Sequence, residues 1–399
     1  MRSKSVFLVA GTALFAACAI GATQGTRTKG GVITPDPTEL NPFKEVAFFV
    51  QPEQKERVLQ LAKKFPNEAA LYSQVAEQPN AIWLDSIAAI GKVAPTLDQA
   101  NEQQRALGKP VLTVFVVYDL PNRDCAAEAS NGELKVEENG EARYQAEFID
   151  PIAALFQAHL DQPIAVILEP DSLANLATNL GLPKCKASKN VYKSATAYAI
   201  RKLALPNVSI YLDAAHAGWL GWDDNRNKIA RVYKQVLSEA GGAHLIRGFA
   251  TNVSNYGHLT ERDLARLEPS NPCGNELDYV RLLRETLSLY GIKDKNFVVD
   301  TSRNGRANLR AKSGYWCNLR GAGMGERPVA DPAPGIDAYF WIKVPGESDG
   351  VSDPSQPRYD VSCSSPDSVP NAPQAGQWFE SYFIDLVHNA NPPFSGGRS

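Results

Sequence analysis

The chain runs to 399 residues with 44% hydrophobic and 21% charged side chains, an ordinary globular composition with room for one large barrel or two domains. Lys plus Arg number 41 against 44 Asp plus Glu, and the net charge of -3 argues against a nucleic-acid or anionic-membrane partner, both of which favour basic surfaces. A neutral substrate suits this balance.

The first 22 residues, MRSKSVFLVAGTALFAACAIGA, have a basic start at Arg2 and Lys4, an apolar stretch from Val6 to Ala17 and small residues beyond it. That pattern is a secretory signal, cut after Ala19 or Ala22, with lipid anchoring at Cys18 as the alternative. Export places the chain in an oxidising space. Without Cys18 there remain Cys125, Cys185, Cys273, Cys317 and Cys363, enough for two disulfides and one leftover thiol. Residues 23–43, rich in Gly, Thr and Pro, read as a flexible leader, and 44–399 as a single domain.

From there strand-like and helix-like segments alternate. Candidate strands are 82–84, 111–118, 164–168, 208–212, 246–250, 297–300 and 338–342, most of them separated by stretches of helical spacing such as Leu277, Val280, Leu283 and Leu287. Trp378, Phe379, Tyr382, Phe383, Leu386 and Val387 share one face of a closing helix. Alternation with apolar strands implies parallel pairing through right-handed crossovers, and seven strands suggest a closed or nearly closed barrel. An open doubly wound sheet is the alternative, but no glycine-rich phosphate loop follows the first strand.

Each strand then hands a polar or aromatic group to one rim. In order these are Trp83 and Asp85; Tyr118, Asp119 and Asp124; Glu169 and Asp171; Asp213, His216 and Trp219; Thr251 and Asn252; Asp300 and Arg303; Lys343, Glu347 and Asp349. A lone Asp171 or Ser172 after the apolar run Ala165–Leu168 would read equally well as a helix cap. Seven strand ends behaving alike are better explained by a site, because barrels assemble their chemistry at the C-terminal ends of strands. Two long connections, 119–141 and 344–372, lack periodicity, and the second holds five prolines. Each contains one cysteine, Cys125 and Cys363, so disulfides to Cys185 and Cys317 would hold both as a roof over the rim.

The rim is rich in carboxylates and indoles. No nucleophile elbow, CxxC or HExxH motif occurs and the five histidines are scattered, so neither metal nor cofactor is expected. Paired carboxylates hydrolyse glycosides, one giving a proton to the leaving oxygen while the other activates water or attacks carbon. Trp83, Trp219, Trp222 and Trp316 are candidate platforms for the apolar faces of sugar rings, whereas Trp341 and Trp378 are expected in the core.

The segments YDLPNRDCAAEASNGE (118–133), LEPDSLANLATNLGLPKC (168–185), YLDAAHAGWLGW (211–222), FATNVSNY (249–256), YWCNLRGAG (315–323) and GESDGVSD (346–353) resemble the glycoside hydrolase family 6 cellulases, and the likeness extends over nearly everything after about residue 45. The resemblance implies a distorted (β/α) barrel of seven parallel strands, its site at their C-terminal ends under two long disulfide-held loops. It implies hydrolysis of β-1,4-glucan with inversion and without a metal. Position by position it makes Asp171 the general acid, Asp124 the aspartate that keeps the acid protonated, Asp349 the residue put forward as base, Tyr118 the group that distorts the sugar, and Ser130 the holder of the water. Asp213, His216, Asn252, Lys343 and Glu347 fall to substrate binding with the four tryptophans, while Arg123, Arg303 and Glu169 support the site. The disulfides expected are Cys125–Cys185 and Cys317–Cys363.

Because both loops are kept, the expected enzyme is a secreted, monomeric cellobiohydrolase cutting from non-reducing ends of cellulose and cello-oligosaccharides. An endoglucanase of the same family, or a non-catalytic glucan binder, are the alternatives. No small cellulose-binding module with its linker is seen, which is expected to weaken attachment to crystalline cellulose. Cys273 has no evident partner, and Asn207 and Asn252 sit in N-x-S patterns.

Overall fold

The computed structural model describes residues 40–263 and 267–395. The expected signal, Cys18 and nearly all of the leader lie outside the described residues. The strands are β1 (Ala47–Phe48), β2 (Ile82–Leu84), β3 (Val111–Val117), β4 (Ile164–Leu168), β5 (Val208–Asp213), β6 (Gly248–Thr251), β7 (Asn296–Asp300), β8 (Val329–Ala333) and β9 (Ile336–Phe340). β3 and β4 are buried along their whole length and made of Val, Ile, Leu, Phe, Ala and Thr, as a strand covered on both faces must be. Seven of the nine match the expected strands.

The sheet runs β1-β3-β4-β5-β6-β7-β9-β8, with β2 also on β3. All pairings are parallel except β8 with β9. β1 pairs with the start of β3, at Val111 and Leu112, and β2 with its end, from Phe115 to Val117, so two short strands together form one edge. Helices Val93–Leu107, Asp150–Gln157, Pro183–Leu203, Asp223–Ala240 and Glu276–Leu289 carry the crossovers from β2 through to β7. Between β7 and β9 the chain forms a long irregular segment and the β8–β9 hairpin instead, which is the barrel's distortion. Its seam between β2 and β9 is bridged by the Ala81 amide donating to the Trp341 carbonyl at 3.0 Å and by Trp83 Nε1 donating to the Ile342 carbonyl at 2.8 Å.

Side-chain alternation splits the core into layers. Phe115, Val117, Val166 and Leu168 face the helices, while Val114, Val116, Ala165, Ile167 and Tyr211 fill the barrel. At the strand starts the Arg247 guanidinium clamps Asp337 at 2.7 and 2.8 Å, and Tyr211 Oη and Asn296 Nδ2 donate to the same carboxylate. A closing helix, Glu380–His388, buries Tyr382, Phe383, Leu386 and Val387 against helices Pro52–Lys64 and Ala69–Ala76. Trp378 and Phe379 precede that helix rather than sharing its face, although both pack on the same cluster. Trp341 is a core residue, 1% exposed.

Candidate active site

The strand ends open into a cavity of about 570 Å³ lined by groups from every loop above the barrel. Trp83, Tyr118, Arg123, Asp124, Ser130, Asp171, His216, Trp219, Trp222, Trp316, Lys343, Glu347 and Asp349 all line it. Arg303, Glu169, Asp213 and Asn252 do not.

Asp171 is brought in by a sharp reversal. β4 stops at Leu168 because Pro170 has no amide to continue the ladder, and Glu169 (φ 54°) and Asp171 (φ 60°) both take the left-handed backbone conformation. Asp171 stands at the N-cap of helix Ser172–Thr178 but makes no side-chain capping bond there. Ser172 does not cap either, since its hydroxyl donates back to the Glu169 carbonyl at 2.7 Å. The Asp171 carboxyl is therefore left for the cavity. Burial first, then the neighbouring Asp124 and Asp213, holds it well above the usual carboxylate range.

The residues behind it are fixed by hydrogen bonds. Glu169 accepts from the Asp119 amide at 3.2 Å, the Leu120 amide at 3.3 Å and Tyr144 Oη at 2.7 Å, tying the end of β4 to that of β3. Asp213 accepts from the Asp171 and Ala215 amides, each at 3.1 Å. It holds Asp171's backbone and does not line the cavity, standing apart from most of the residues expected to contact substrate. Asn252 does not line the cavity either. It is 0% exposed, and its amide is consumed by the Asp300 carbonyl at 2.8 Å and the Gly257 main chain at 3.2 and 2.9 Å, so it shapes the loop after β6.

Tyr118 Oη donates to Asp124 Oδ2 at 2.8 Å, and the Arg123 guanidinium lies 4.3 Å from the Tyr118 ring centroid. Arg123 also donates to the carbonyls of Ser130, Asp85 and Tyr118 at 2.8, 2.7 and 2.6 Å, folding the first loop over the cavity. Burial pushes the Asp124 carboxyl up, against the Tyr118 hydroxyl and Arg123, which favour its charge. On the far side, Asp349 accepts from Arg303 Nη1 at 2.8 and 2.9 Å, Tyr256 Oη at 2.8 Å and the Asn318 amide at 2.8 Å. Lys343 Nζ stands 3.9 Å away and donates to the Ser348 carbonyl. Burial lowers the Lys343 pKa, raises that of Glu347, and with Arg310 drives His216 down to about 3, so its imidazole is neutral.

The indoles are pinned by their N–H groups: Trp83 on the Ile342 carbonyl, Trp219 on Thr178 Oγ1 at 2.8 Å and Trp222 on Ser270 Oγ at 3.3 Å. Disulfides join Cys125 to Cys185 and Cys317 to Cys363, and Cys273 is free and buried. The two long loops meet. Ala129 of the first packs on Cys317 and Cys363, the Glu128 amide donates to Asp360 Oδ2 at 3.1 Å, and a Cβ at Gly350 would lie 2.7 Å from Cys363 Sγ and 2.8 Å from Ala129. Arg358, Ala375 and Gly376, from the second loop or just beyond it, also line the cavity.

Several contributors escaped the sequence reading. Arg310 lines the cavity from an irregular loop, bonded to Asn255 and the Tyr315 carbonyl at 2.7 and 2.6 Å. Tyr256 and Asn318 act behind Asp349. Both stand inside the segments FATNVSNY and YWCNLRGAG, which were the available signal.

The sequence profile described as Glycosyl hydrolases family 6 matches residues 43–390. The chain belongs to glycosyl hydrolase family 6. Among its relatives are the 1,4-beta-D-glucan cellobiohydrolase C of Emericella nidulans, 40% identical over 362 residues, 89% of this chain and 79% of that protein. A Fusarium oxysporum protein named as an endoglucanase type B is 41% identical over 358 residues, covering 89% and 77%. The structure of cellobiohydrolase II (Cel6A) from Humicola insolens in complex with glucose and cellotetraose superposes with a TM-score of 0.84 at 39% identity, over 89% of this chain and all of that one.

Proposed function

We propose that this family 6 protein is an inverting cellobiohydrolase that releases cellobiose from the non-reducing ends of cellulose and cello-oligosaccharides, acting as a secreted monomer whose single catalytic domain spans 44–399. The observation that carries the exo reading is the roof: both long loops are anchored by disulfides and touch across the cavity through Glu128 and Asp360, and through Ala129 and the Cys317–Cys363 bridge. A chain under such a roof is threaded from an end rather than gripped in its middle. The cellotetraose bound to the Humicola insolens relative and the name of the Emericella nidulans relative support the substrate class.

In this reading Asp171 protonates the leaving glycosidic oxygen as the bond to the anomeric carbon breaks, and water attacks that carbon from the opposite face, passing its proton to Asp349. Asp124 keeps the proton on Asp171 until it is needed, because two neighbouring carboxyls largely shielded from water do not both ionise readily. Tyr118 presses the sugar out of its chair, Ser130 holds the water, and the four indoles, His216, Lys343 and Glu347 bind the glucan.

Anomer-resolved NMR on cellohexaose tests the reading, with α-configured cellobiose as the expected first product. A β-configured product removes inversion. Rapid loss of carboxymethylcellulose viscosity before reducing sugar accumulates replaces the exo reading by the endoglucanase one, to which the name of the Fusarium oxysporum relative points.

A further inference from the structure

The Asp349 carboxylate is held asymmetrically. Its Oδ2 receives three donors, Arg303 Nη1 at 2.9 Å, Tyr256 Oη at 2.8 Å and the Asn318 amide at 2.8 Å, whereas Oδ1 receives Arg303 alone at 2.8 Å with Lys343 Nζ at 3.9 Å. The direction of the Tyr256 bond is fixed by its other neighbours. Tyr382 Oη donates to Tyr256 Oη at 2.8 Å and the Leu319 amide approaches it at 3.3 Å, so both lone pairs of the phenol are engaged and its proton points at Asp349. Tyr256 is 0% exposed, touches no part of the cavity, and carries the Arg303 guanidinium 4.3 Å from its ring centroid.

We infer that the Tyr256 hydroxyl is a positioning group for the hydrolytic reaction: it saturates Asp349 Oδ2 and leaves Oδ1 as the oxygen that takes the water's proton. This rests on the reading of Asp349 as base. The charged and titratable groups facing the carboxylate and its phenol are Arg303 after β7, Lys343 after β9, Arg310 over the outer side of the Tyr256 ring, and Tyr382 on the closing helix. None but Tyr256 and the Asn318 amide is a neutral donor to Oδ2. Removing the phenol proton withdraws support from the ionised carboxylate without removing a charge.

Tyr256→Phe is the test, because it keeps the ring under Arg303 and deletes only the hydroxyl. With cellohexaose, kcat is expected to fall about tenfold, the loss of one hydrogen bond to a charged group, while KM stays within about twofold. Tyr382→Phe leaves the Tyr256–Asp349 bond in place and removes the donor that polarises it, so kcat should fall in the same sense by less, again with KM within about twofold. It also supplies the answer if Tyr256→Phe fails to fold. An unchanged kcat in both variants, with Asp349→Ala inactive, would sink the positioning role while leaving the base standing. An Asp349→Ala protein with wild-type turnover overturns the base and this inference together.

Discussion

At the scale of single residues, the decisive fact about Asp171 is that its half-buried carboxyl faces the cavity and makes no capping bond. Asp171→Ala should cost about 10²–10⁴-fold in kcat on cellohexaose, the usual contribution of a general acid, with the circular dichroism spectrum unchanged. Asp124→Asn separates the two aspartates more finely. It removes one of the negative charges that raise the Asp171 pKa, so Asp171 should lose its proton at lower pH and the alkaline limb of the pH–rate profile should move down. An alkaline limb left where it stands would mean that Asp124 does not govern the acid. Asp213 differs from both: it shares their cluster, but its bonds to two main-chain amides make it a brace for the turn.

At the scale of elements, the roof carries the argument about where a chain is cut. Shortening the second loop between Asp353 and Asp360 removes the Glu128–Asp360 contact. Its expected effect is a faster fall of carboxymethylcellulose viscosity per reducing end released, with hydrolysis of cellohexaose largely retained. An unchanged viscosity-to-sugar ratio would show that the roof does not set the mode of attack. The strands that carry the loops were legible because each is a short apolar run ended by a polar group, a pattern that burial on both faces forces. β1 and β8 were not. Two residues at one edge, and an exposed hairpin arm VADPA with Pro and Asp in it, leave no apolar run to read. Among site residues, those with a charge or an indole at a strand end were visible. Asn252 and Asp213 looked the same in the sequence as true cavity residues, because whether an amide or carboxylate faces the cavity or a neighbouring backbone depends on the turn after the strand. Tyr256 stayed hidden for the converse reason, its work being done from behind through a partner in another loop.

At the scale of the whole molecule, the site loads the fold with carboxyls kept from water. Burial raises Glu169 and Asp213 to about 7, and Asp119 and Glu276 to about 8. Each binds its proton more tightly folded than unfolded. Their stabilising contribution is therefore complete below the ordinary carboxylate pKa and is lost as pH rises through the folded values. The melting temperature should decline between about pH 5 and pH 8, and a scan that is flat or rising across that window would contradict it. An acidic medium is the setting in which this protein stands firmest.

The left-handed backbone around the cavity extends beyond Asp171, including Asp124, Glu169, Ala215, Asn252 and Ser254. Each such residue costs about 1–3 kcal/mol where its side chain gains nothing locally, and glycine would take the same shape freely. A chain shaped by stability alone would have drifted toward glycine at these turns. That Asp124, Glu169 and Asn252 stand there instead puts a functional or bracing side chain on a backbone that glycine would hold more cheaply, and makes these turns the place where stabilising substitutions would be easiest to find and least useful.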